Sequence, residues 1–276
     1  MSIITLSHEA FGDGRAVAER VAAILGYRCI SKEVLTTASL RYGISETKLV
    51  EVLEEKPHSW WKQWLESRGV YRIVLQAALC ELAQEGNIVY HGRAGQEFFP
   101  GIRHVLNVFV DTPTESRIKQ VMARKGLFEE AAKKYLEELD IIRARRTREL
   151  FKIDWRDPTR YDLVLNTAKT TVETAAQLIA EVSQREEYRQ TAKSVQAMKD
   201  LTITARVEAI RIASRMEISN LEVETRCGEV HVSGVILAES IKDSAADMIR
   251  KIPGVTRVIT HFVVTPSEHY LYGDGR

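Results

Sequence analysis

The sequence predicts an α/β protein: a doubly wound domain on a parallel sheet, followed by a smaller α+β unit. Three observations carry this. Apolar runs alternate with amphipathic stretches over roughly the first two thirds of the chain. Each apolar run ends in a polar tip. A polar stretch then interrupts the alternation, and the pattern resumes in a different order.

Taken in order, Ile3 to Leu6 are β-branched or apolar and read as a short buried strand. After a glycine-containing turn, Val17, Val21, Ile24 and Leu25 form one stripe of an amphipathic helix. "NIVYHGR", "RHVLNVFVD" and "YDLVLNT" are near-continuous apolar runs, as in a sheet covered on both faces. Helices are expected around Tyr71–Gln84, Glu115–Lys125, Glu129 to about Leu150, and Thr171–Val182. Ligands of such sheets sit in the crevice outside the strands' carboxyl ends. The loop Ser7–Ala16 and the segment His91–Gly95 should both open there. The first domain is thus expected over residues 1–182.

Residues 183–200, "SQREEYRQTAKSVQAMKD", are polar and read as a helical or flexible linker. From 201 to 266 the order becomes α-β-β-α-β: a helix with Ile203, Val207 and Ile210, "LEVETR", a Cys227-Gly228 turn, "EVHVSGVIL", a second helix, and "TRVITHFVVT". Residues 267–276 form a tail.

The 276 residues carry 39 Lys+Arg against 38 Asp+Glu, a formal charge of +1, so no global field points to nucleic acid or a membrane surface. No run approaches transmembrane length, and no export signal is recognisable. Three scattered cysteines, Cys29, Cys80 and Cys227, suit a reducing cytoplasm, the expected location. Neither they nor the 7 histidines show metal-ligand spacing, so no protein metal site is expected. His8, His58 and His91 read as incidental.

The loop "SHEAFGDGRA" carries the main chemical question. A strand, a glycine turn and a helix N-terminus together favour an anion, through unpaired backbone N–H groups and the helix dipole. Against the phosphate-loop pattern G-x-x-x-x-G-K-[ST], Glu9 replaces the first glycine, Arg15 the lysine and Ala16 the hydroxyl residue. Arginine keeps the charge and adds a bidentate fork; alanine offers a metal nothing. Phosphate site and structural turn both remain open, and a dinucleotide reading, with Glu33 as ribose acid, fits less well. Trp60, Trp61 and Trp64 read either as helix anchors or as a segment stacking on a base. Arg93, just past a strand end, suits a substrate phosphate or a surface ion pair. From Ile141 to Arg160 seven basic residues face three acidic ones, either a solvated face or a phosphate-neutralising segment.

In this order, "IITLSHEAFGDGRAVAERVAAILGYRCISKEVL", "GRAG", "DTPTESRIKQVMARKGLFEEAAKKYLEELDIIRAR" and "DWRDPTRYDLVLNT" resemble the cytidylate-kinase-like family, relatives of the P-loop nucleoside monophosphate kinases. The resemblance implies a three-layer α/β/α domain with a parallel sheet. It implies an ATP site over Gly12, Asp13, Gly14, Arg15 and Ala16, and an acceptor site with Arg93 and Asp140. It also implies an arginine-bearing lid with Arg143, Arg145 and Arg146, which together with Arg15 would be catalytic. ATP and Mg2+ are the implied cofactors, and CMP or dCMP the implied acceptor. Phe11 stands where the family commonly has glycine, His8 where it has arginine, and Ser31 where it has aspartate. With Ala16, the last change leaves a magnesium site short of ligands. Residues 201–266 are similar to a BON domain, through "LEVETRCGEVHVSGVI" and "IPGVTRVITHFVV", which implies a phospholipid or protein partner. A non-catalytic nucleotide sensor or scaffold is the competing expectation.

Overall fold

The computed structural model describes residues 2–47 and 61–265. Trp60 and His58 lie outside them. Five strands form one parallel sheet: β1 (Ile3–His8), β2 (Arg28–Ile30), β3 (Ile88–His91), β4 (Val105–Asp111) and β5 (Leu163–Asn166), in the order β2-β3-β1-β4-β5. The alternation of side chains across a strand divides the core in two. Ile3, Ile88, Tyr90 and Val105 face one side; Ile4, Leu6, Val89, Leu106 and Val108 face the other.

Helix α1 (Gly14–Leu25) and helix α6 (Val172–Ser183) cover the second side. The α1 stripe differs from expectation: Ala18 and Ala22 are buried with Val17 and Val21, while Ile24 turns outward. The first side is covered by α2 (Glu33–Tyr42), α3 (Trp61–Gln84) and α7 (Ala192–Ala213). This is the three-layer α/β/α architecture expected. Between β4 and β5, α4 (Thr114–Lys125) and α5 (Glu129–Phe151) form a hairpin with a small core of Val121, Ala132 and Leu136.

The second sheet holds β6 (Ile218–Arg226), β7 (Glu229–Ile236) and β8 (Arg257–Val264), in the order β6-β7-β8; β6 runs antiparallel to β7, and β8 parallel. Helix α8 (Glu239–Arg250) and the C-terminal half of α7 pack on one face, with Ile203, Val207, Val230, Val232 and Ile249 in the core. Cys227 and Gly228 both take positive φ, the requirement of a tight hairpin turn. Asp200 accepts both of their N–H groups.

Most of the segment expected as a linker is therefore helix. Residues 186–188 form a single 3-10 turn, and α7 begins at a capping box between Thr191 and Ser194. Met198, Ala205 and Ala209 of α7 join the core of the first unit, whereas Ile203 and Val207 join the second. A boundary at residue 201 falls inside this helix.

Candidate functional site

The loop between β1 and α1 sets the site. Phe11 takes φ +56°, the left-handed region that disfavours a side chain. Its ring is held edge-on against Tyr135 of α5, with centroids 6.0 Å apart. Glu9, in place of a loop glycine, is buried. Its carboxylate accepts the Thr112 N–H at 3.0 Å and meets Arg156 at 3.3 Å and Arg117 at 3.5 Å. Burial pushes its carboxyl pKa upward, against the pull of Thr112 and Arg117. Arg117, 1% exposed, donates to the Ala10 carbonyl and to both oxygens of Asp140. Four charges thus tie the β1–α1 loop to α4, α5 and the segment after α5.

Within the loop, Gly12 N–H goes to the Glu9 carbonyl and Asp13 N–H to the Thr112 hydroxyl. The first intrahelical bond of α1 is Val17 N–H to the Asp13 carbonyl. The N–H groups of Gly14, Arg15 and Ala16 precede it, at the positive end of the helix dipole. They are the part of the loop that fits a phosphate. Ala16 brings no oxygen to a metal, and Asp13 and Asp111 accept from Gln120 and Asn166. Among the described residues no three metal-ligating side chains cluster. Among the described residues, these side chains do not form a magnesium site of the protein's own.

Beside the loop lies a cavity of about 300 Å³, bounded by the carboxyl ends of β1 and β3, the start of α2, and α3 and α5. Its apolar wall includes Leu35, Leu75, Phe98 and Phe151, with Tyr71 and Tyr90. Six cationic side chains reach it: Arg15, Lys32, Arg72, Arg93, Arg143 and Arg146. Of the expected residues, Arg15, Arg93, Arg143 and Arg146 are thus brought together. Arg15 is largely exposed and paired with Glu19 one turn on, at 2.8 Å. Gly12, Asp13, Gly14 and Ala16 are not among the residues that line the cavity. Arg145 is exposed on another face of α5, and Asp140 belongs to the Arg117 network.

Two of the histidines read as incidental sit at this cavity. His8 and His91 both line the cavity, with ring centroids 6.0 Å apart. Lys32 and Arg72 were likewise not singled out. The signal that places the histidines is sheet register: β1 and β3 pair in parallel with Leu6 opposite His91, so His8 and His91 end adjacent strands.

A parallel sheet with a glycine loop leading from its central strand into a helix defines an α/β protein of the phosphate-loop type. The chain belongs to the cytidylate kinase-like family, whose pattern residues 3–169 match; residues 199–266 match the BON domain. It is 30% identical over 172 residues to a cytidylate kinase of Ignicoccus hospitalis, covering 61% of this chain and 91% of that one. It is 33% identical over 95 residues to a cytidylate kinase of Methanocaldococcus jannaschii, covering 34% of this chain. That match spans about half (53%) of the relative's length. An uncharacterized protein from Eubacterium ventriosum shares the fold, with a TM-score of 0.51 and 21% identity, covering 66% of this chain and 97% of that one.

Proposed function

We propose that the protein binds ATP and transfers its γ-phosphoryl group to a small phosphorylated acceptor such as CMP or dCMP. The observation that carries this reading is the convergence of six cationic side chains on one cavity, at the N-terminus of α1. The N–H groups of Gly14, Arg15 and Ala16 hold the donor's phosphates. Arg93 binds the acceptor phosphate bidentately. Arg143 and Arg146 close the opposite side and neutralise the charge that spreads over the transferring phosphoryl group. The apolar wall excludes water and packs against the acceptor's base. A cytoplasmic setting accords with the free thiols of Cys29, Cys80 and Cys227.

A second reading rests on a specific observation. Arg15 is drawn to Glu19, Ala16 lacks a hydroxyl, and two loop N–H groups are satisfied internally. These features favour a nucleotide sensor or scaffold without turnover, its BON module binding a protein or a phospholipid surface. Incubation with magnesium, ATP and CMP, with CDP as the readout, separates the two. CDP formation that Arg93→Gln abolishes establishes transfer. ATP binding without CDP establishes the sensor, and absence of ATP binding overturns both.

A further inference from the structure

Two histidines occupy the phosphate end of the cavity. The His8 ring lies against Gly14, so closely that a Cβ on that glycine would fall 2.3 Å from the ring's Cγ. His8 Nδ1 is 2.9 Å from the Glu9 carbonyl oxygen. A carbonyl only accepts, so Nδ1 carries the hydrogen and Nε2 of the neutral ring keeps a lone pair. A proton arriving at Nε2 turns an acceptor into a charged donor.

We propose that His8 and His91 are phosphate ligands that each charge when a dianion enters the cavity, so that phosphate affinity rises as the pH falls. This rests on the reading that the cavity holds phosphates. The surroundings explain why the rings await an anion. His8 faces His91 and Arg93 at the end of β3 and Arg143 on α5; burial and these cations push its pKa down to about 4. His91 also lies below the ordinary histidine value, chiefly through burial. Arg15 from α1 adds to that depression, whereas Glu19 of α1 and Glu33 of α2 oppose it. Lys32 ahead of α2, Arg72 with Tyr71 on α3, Tyr90 of β3 and Arg146 on α5 complete the charged and titratable wall. Glu9, behind the loop, is engaged with Thr112, Arg117 and Arg156.

A phosphate dianion opposes that field. It stabilises imidazolium at both sites and supplies the acceptor that His8 Nε2–H requires. In the sign of the linkage, the free site has the lower pKa and the complex the higher. Protons are therefore taken up between those two values, and affinity is lost as the pH rises through the upper one. An arginine at position 8 would hold phosphate at every pH; a histidine makes the grip conditional.

Calorimetry on the full chain tests this, with ATP, CMP and inorganic sulfate from pH 5.5 to 8.5 in two buffers of different ionisation heat. Sulfate remains a dianion throughout, whereas phosphate monoesters themselves titrate near pH 6, about where their second pKa lies. The expected result is proton uptake on sulfate binding, with affinity falling by up to about tenfold per pH unit for each proton taken up. His8→Asn and His91→Asn should each reduce the uptake, with melting temperature confirming that they fold. His8→Arg should bind at high pH and abolish the His8 share of the pH dependence. Nucleotide binding that is flat with pH and free of proton uptake overturns the inference and leaves the proposed function standing. Sulfate binding with proton uptake but no nucleotide binding does the reverse, and no binding of any of the three overturns both.

Discussion

Gly14 shows how tightly the β1–α1 loop is fitted to its own strand. A Cβ there would fall 2.2 Å from His8 Cβ, an atom fixed by the backbone and unable to swing aside. Gly14→Ala is therefore expected to lower stability by about 1–3 kcal/mol and to weaken ATP binding, as urea denaturation and titration would reveal. Wild-type stability and affinity would mean that the loop yields freely. Phe11 makes the complementary point. A non-glycine residue at positive φ costs on the order of 1–3 kcal/mol, offset here by packing on Tyr135, with Arg124 Cζ 5.9 Å from the ring centroid. Local spacing made Gly12, Gly14 and Arg15 readable in the sequence, because loop chemistry is local. His8 and His91 were not readable that way, since parallel pairing of distant strands makes them neighbours. The same holds for Asp140, whose partner Arg117 lies on another helix.

Helix α5 sorts its arginines by angle. Successive residues are about 100° apart around a helix, so Arg143 and Arg146 share a face while Arg145 lies about 130° from their mean direction. The charge run was legible in the sequence, but a run of charge carries no direction until a neighbour fixes one face. Here the neighbour is the cavity, together with Asp140 held by Arg117 at 2.6 Å. Arg143→Gln is expected to weaken ATP and CMP binding by roughly tenfold or more, in line with about 1.5–3 kcal/mol for a hydrogen bond to a charged group. Arg145→Gln should stay within about twofold. Equal losses in both variants, with melting temperatures unchanged, would show that the cluster acts as a diffuse field. Strand β5 offers a parallel lesson. "YDLVLNT" reads as a strand buried on both faces, yet it lies at the sheet edge with Val164 42% exposed. Apolar content does not reveal position within a sheet.

At the scale of the whole chain, α7 is the decisive element, and its first half was the least legible because polar residues surround the few that become buried. Glu81 of α3 joins it to the first unit, accepting from Arg206 of α7 at 2.9 Å and from the Tyr42 hydroxyl at 2.7 Å. Both members of the ion pair are largely buried. Arg206→Ala should cost about 2 kcal/mol, since it leaves Glu81 with only the exposed Arg41, 3.6 Å away, as a charged partner. We propose that the two units unfold together, so calorimetry on the full chain should record one transition. Two well-separated transitions would instead support a division near residue 201. The shared helix also bears on how the protein is made. Synthesis runs from the N-terminus, so all five strands of the first sheet leave the ribosome before Met198, Ala205 and Ala209 do. Until those residues emerge, the nascent kinase-like unit carries an uncovered apolar flank that a holding chaperone can occupy. A stop codon just after Val182 would make that flank permanent, so the shortened product is expected in the insoluble fraction rather than as a smaller folded protein.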